Sequence, residues 1–125
     1  MRTRVTQGPP GGGGCEMIDW DRVKELRVEI GADDFAEVAA KFLEEADEAV
    51  ARLVPGISAK AIEADLHFLK GAALNLGFDA LSAFCQDGER RAAAGDTNVD
   101  LAAVRDTYFA SKAAFEGGVE QAFAA

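Results

Sequence analysis

His67-Phe68-Leu69-Lys70-Gly71-Ala72-Ala73-Leu74-Asn75-Leu76-Gly77 contains the only histidine in 125 residues. Together with the residues before it, this stretch reads as one amphipathic helix. Ile62, Leu66, Leu69, Ala73 and Leu76 recur with the i, i+3, i+4, i+7 rhythm of a buried stripe. At 3.6 residues per turn, His67 falls roughly 140° round the helix from that stripe and faces outward. Lys60, Glu63, Ala64, Lys70, Gly71 and Leu74 share its side. Lys70 and Gly71 stand at i+3 and i+4 from His67, which makes them its neighbours on the next turn.

Glycine inside a helix costs about 1 kcal/mol relative to alanine. Ala72 and Ala73 stand next to Gly71, so a need for a small side chain does not explain it. Gly71 therefore points to something that approaches the backbone beside the imidazole. Lys70 places a positive charge there, able to attract an anionic group arriving at a ring nitrogen. A lone histidine is most often an ordinary surface or core residue, and a mid-helix glycine is often a packing contact. The combination on one outward face, histidine then lysine then glycine, raises the functional reading above these.

Composition narrows the remaining choices. The length allows one domain with one core. With 49% hydrophobic residues the chain should be globular. Thirteen basic against 22 acidic residues give a net charge of −9, which argues against a nucleic-acid partner. No run approaches transmembrane length and the N-terminus lacks a signal-peptide core, so no membrane association is expected. The two cysteines, Cys15 and Cys85, make no disulfide framework, and a reducing cytoplasm fits.

Around the central stretch the chain reads as helices joined by short breaks. Residues 1–16 form an expected disordered tail, rich in glycine and proline, and residues 17–125 the domain. The tail is not a phosphate-binding loop, because no Lys-Ser/Thr follows its glycines. A first helix is predicted from about Asp19, its N-cap, to Ile30, with Gly31 after it. A second runs from about Asp33 to Leu53, with Phe35, Val38, Ala39, Phe42, Leu43, Ala46 and Val50 inward and an acidic outer face. The third starts near Ser58 and ends at Gly77. The fourth spans about Asp79 to Ala94, with Leu81, Phe84, Cys85, Gly88 and Ala92 as its inner stripe. The fifth runs from about Asp100 toward the C-terminus, with Gly117-Gly118 expected to bend or fray it. The fold class is all-α, an antiparallel four-helix bundle of the second to fifth helices with the short N-terminal helix packed across one end.

The central stretch resembles the signature of the histidine-containing phosphotransfer (HPt) family: His-x-Leu-Lys-Gly, two small residues, then an apolar residue followed by glycine. His67 to Gly77 matches it at every defining position. The likeness extends to Phe42-Leu43-Glu44-Glu45-Ala46, to Leu81, Cys85 and Glu89, and to Ala92-Ala93-Ala94-Gly95-Asp96. As a fold it covers residues 17–125. Gly88 on the inner stripe reads as a close approach between helices or as a local weakening of the fourth; it departs from the family, where a larger apolar residue is usual.

The resemblance implies a phosphorelay carrier. The histidine matching His67 would take a phosphoryl group on Nε2 from the aspartyl phosphate of a response-regulator receiver domain, or from a sensor histidine kinase or hybrid kinase. It would then pass the group to another receiver aspartate. The lysine matching Lys70 would help hold the group, and the glycine matching Gly71 would leave room for it. Either Glu63, one turn back, or Glu89, on the next helix, could orient the ring. Ala64 and Leu74 would lie near the centre of a docking face that includes parts of the first two helices, although Leu74 reads equally well as a rim residue of the core.

The chain has no ATP-binding motif and no carboxylate cluster around His67. It is therefore expected to be a carrier and not an enzyme, with no cofactor and no metal of its own, and with Mg²⁺ and an acidic pocket supplied by the partner. A free-standing monomeric shuttle is expected. The alternative is an HPt-like scaffold or inhibitor that docks on a kinase or receiver without carrying phosphate, which would have no chemical need for the histidine. One histidine without a second ligand at metal spacing argues against a metal or haem bundle.

Overall fold

A computed structural model describes residues 17–123, with side chains as far as Val119. The expected tail over residues 1–16, with Cys15, lies outside them. The described residues form five helices: α1 (Trp20–Ile30), α2 (Ala32–Ala51), α3 (Ala59–Leu76), α4 (Asp79–Ala93) and α5 (Leu101–Phe123). Each of α2 to α5 packs on the next, α5 closes back on α2, and α1 lies against α2, α3 and α5. The architecture is thus the four-helix bundle with an additional N-terminal helix.

Local chemistry sets the helix ends. The Asp19 carboxylate accepts from the backbone N–H groups of Asp21 and Arg22 and so caps α1. Ser58 does the same for α3, accepting from Ala61 N at 3.1 Å. Gly31, at φ 92°, separates α1 from α2, so α2 begins one residue earlier than the sequence predicts and ends at Ala51, two residues earlier. Leu53 remains fully buried beyond that end.

The core follows the periodic stripes. Ile62, Leu66, Leu69, Ala73 and Leu76 of α3 are all buried, as are Leu81, Cys85, Gly88 and Ala92 of α4. Phe84 is a correction: it is 46% exposed. It lies about 100° round the helix from Cys85, outside the buried arc. At Gly88 the structure decides for close approach. A Cβ there would lie 2.6 Å from Leu66 Cδ1 and 3.0 Å from Val99 Cγ1, so the glycine lets α4 approach α3 closely and does not loosen the helix. α5 stays helical through Gly117-Gly118. It continues, and a Cβ on Gly118 would strike the Trp20 ring at 2.7 Å. Trp20 stacks on Phe115, which also meets Phe35 and Phe78, and this aromatic cluster joins α1 to the bundle.

A polar staple ties α5 to α2. The buried Tyr108 hydroxyl donates to Asp47, and Lys112 Nζ lies 2.9 Å from the same carboxylate. Burial alone would raise the pKa of Asp47, but the bonds from Tyr108 and Lys112 outweigh it and hold the carboxyl below its ordinary value.

Gly77 makes the turn out of α3 in the left-handed region, at φ 75°. Its carbonyl accepts from Asp19 N at 2.6 Å, and a Cβ on it would lie 2.6 Å from the Asp19 carbonyl oxygen. Gly77→Ala should therefore lower the unfolding free energy by about 2 kcal/mol, combining left-handed strain with a backbone clash. Urea denaturation measures it, and a loss below about 0.5 kcal/mol would contradict this account of the turn.

Candidate functional site

His67 lies midway along α3 with its side chain 70% exposed. Its position follows from the buried stripe. Leu66 and Leu69 point into the core, and the residue between them that follows Leu66 by 100° turns outward. From α4, Glu89 reaches across and places Oε2 2.8 Å from His67 Nδ1. Its other oxygen, Oε1, lies 2.8 Å from Lys70 Nζ. One carboxylate thus joins the histidine and the lysine of the central stretch.

Oε1 is shielded from solvent, and its one polar partner is the Lys70 ammonium, held as an ion pair and not as an aligned hydrogen bond. The pair with Lys70, followed by the bond to His67, holds the Glu89 carboxyl below its ordinary value against the opposing effect of burial. An ionised Glu89 can only accept. It therefore takes the proton-bearing Nδ1–H of the neutral ring, and the lone pair is left on Nε2. Of the two carboxylates the sequence left open, Glu63 makes no hydrogen bond with the ring.

Gly71 sits on the same face. A Cβ built on it would meet nothing within 4 Å, so no packing within the described residues requires the glycine. Its carbonyl accepts from Asn75 Nδ2 at 3.0 Å. Around this opening Ala64 is exposed, Leu74 is 56% exposed and Phe68 is 37% exposed. Arg22 of α1 borders it. Its Nε donates to the Leu74 carbonyl at 3.3 Å, and its other nitrogens meet Asn75 Oδ1, Glu25 and Glu29. The sequence reading missed Phe68, Asn75 and Arg22. Asn75 carried a local signal, standing at i+4 from Gly71. Arg22 carried none, because its contacts with Leu74 and Asn75 span more than fifty residues of chain.

Cys85 lies in the core beneath Glu89. Burial, together with the negative charge of Glu89, pushes its thiol up to about 12, so it stays protonated and takes no part at neutral pH. Among the described residues no group of three or more His, Cys, Asp or Glu could hold a metal ion. No helix among them is long and apolar enough to cross a membrane.

Two expectations follow from this geometry. Gly71→Ala should stabilise the fold by up to about 1 kcal/mol, since the methyl meets open space and alanine favours helix. Destabilisation in urea unfolding would mean that the fold itself needs this glycine. The second concerns acid. The Glu89 carboxyl has a lowered folded pKa, so the stability it lends is full above its ordinary value of 4.5 and fades as pH falls through the lower folded value. The stability difference between wild type and Glu89→Gln should shrink over that range. A difference that grows on acidification would reverse the assigned direction.

The amino-acid sequence matches the family model described as Hpt domain over residues 32–124, from the first residue of α2 almost to the C-terminus. Comparison with curated proteins gave no match, and comparison with solved structures gave none. The family match covers most of the chain and includes His67, Lys70, Gly71 and Glu89. The chain therefore belongs to the Hpt domain family, phosphocarrier modules that take part in histidine phosphotransfer in two-component systems.

Proposed function

We propose that the protein is a phosphorelay intermediate, with His67 Nε2 as the atom that accepts and releases the phosphoryl group. The observation that carries this reading is the state of the ring. Nδ1 is bonded to Glu89 while the side chain is 70% exposed, so the second nitrogen is left free to act as nucleophile. The open space at Gly71 gives the incoming group room, and Lys70 stands one turn away, paired with Glu89.

In the loading step the Nε2 lone pair attacks phosphorus in line with the bond to the donor oxygen, that bond breaks, and its electron pair stays on the donor carboxylate. Nδ1–H remains on Glu89 and is not transferred. Discharge is the reverse step toward a second carboxylate. The donor and acceptor are receiver-domain aspartates, with a sensor or hybrid histidine kinase as the other possible source. Mg²⁺ and the acidic residues that bind it come from the partner. Leu74, Phe68 and Ala64 offer an apolar contact area beside the ring, and their exposure supports docking there.

The test is transfer from a panel of phosphorylated receiver domains, read by intact mass and by lability in acid. One phosphoryl group should be gained, lost in acid and absent from His67→Gln. Binding to receivers without any gain of mass would instead support a docking scaffold that carries no phosphate.

A further inference from the structure

Glu89 has two contacts, and they do different things. Oε2 fixes the ring, whereas Oε1 holds the Lys70 ammonium at 2.8 Å. In an imidazole, Nδ1 and Nε2 lie on different edges of the ring. A carboxylate that grips Nδ1 with one oxygen and an ammonium with the other keeps that ammonium on the Nδ1 side. We propose that Glu89 holds Lys70 away from the phosphoryl-accepting nitrogen and thereby limits how long His67 keeps a phosphoryl group. This rests on the carrier reading above.

Two anions would then compete for one ammonium. A phosphoryl group on Nε2 stands on a side chain that is 70% exposed, where water weakens charge attraction. The Glu89 and Lys70 side chains are only 19% and 26% exposed, so their pair is screened less. If Lys70 left, Oε1 would lose the ion pair that compensates its sheltered position, an outcome that disfavours release. The carboxylate therefore keeps the lysine, and the phosphoryl group stands largely without it. The domain therefore stores the group poorly.

Phosphoramidate tests this without any protein partner. The Nε2 lone pair forms the new bond to phosphorus, the phosphorus–nitrogen bond of the reagent breaks, and ammonia leaves with its electron pair. In the decay that follows, water attacks phosphorus, the electron pair returns to Nε2, and inorganic phosphate departs. Phosphohistidine half-life at neutral pH is read by intact mass in wild type, Glu89→Gln, Lys70→Gln and the double variant. The glutamine amide oxygen can still accept Nδ1–H, but a neutral amide cannot hold the ammonium.

Glu89→Gln should lengthen the half-life at least about fivefold, as expected when a shielded ion pair stops competing. Lys70→Gln alone should change it less than about twofold, and the gain should vanish in the double variant. Nitrogen-15 shifts of His67 should show the Nδ1–H tautomer in both wild type and Glu89→Gln. An unchanged half-life in Glu89→Gln, its failure to load, a gain that survives loss of Lys70, or a switched tautomer would each overturn the proposal. So would a large loss in Lys70→Gln alone. If wild type loads and transfers to receivers while these variants behave alike, only this inference fails. A wild-type protein that neither loads nor transfers removes the carrier reading itself.

Discussion

The close approach of α3 and α4 at Gly88 is the constraint on which the site depends. The Leu66 side chain occupies the space where a Cβ on residue 88 would stand. The residues that follow, His67 on one helix and Glu89 on the other, meet at 2.8 Å just outside this contact. The core contact and the site contact are thus adjacent steps of the same antiparallel pairing. A side chain at position 88 would have to displace a buried leucine or move the helix, and packed interiors resist both. The geometry of the imidazole is set by a missing methyl group on the inner face of the neighbouring helix.

Most of the fold could be read from the sequence because it rests on local rules. Stripes at helical spacing gave the five helices, and Asp19, Ser58 and Gly77 marked helix ends that capping chemistry explains. What the sequence left open at Gly88 and Gly118, and misread at Phe84, has another origin. Whether a glycine weakens a helix or admits a neighbour depends on what lies opposite, here Leu66 for one and Trp20 for the other. The same limit applied to the ring's partner. Glu63 was close by helical spacing, but Glu89, 22 residues away, is the one that reaches Nδ1. Arg22 was invisible for the same reason.

One construction occurs twice in this molecule. Asp47 is shared by Lys112 and the hydroxyl of Tyr108, and Glu89 is shared by Lys70 and the imidazole of His67. Each bridges two helices, α2 with α5 and α3 with α4. They differ in what the aromatic partner is free to do. Tyr108 is fully buried and its polar atom is consumed by the staple. His67 stands outside, and because Glu89 needs only one of its nitrogens, the other is left for chemistry.

The site also has a particular place in the connectivity. His67, Lys70, Gly71 and Glu89 all belong to the α3–α4 hairpin, whose helices are joined by two residues, Gly77 and Phe78. The contacts that bring in α1 and α5 close far longer stretches of chain: Asp19 with Gly77, Trp20 with Phe115, Tyr108 with Asp47. Closure entropy grows with the length enclosed, and folding rates follow the locality of contacts. The hairpin, like the α1–α2 pair joined by Gly31, is therefore cheap to close. The pairing that defines the reactive nitrogen lies in a local portion of the topology, and the rest of the bundle adds the longer closures around it.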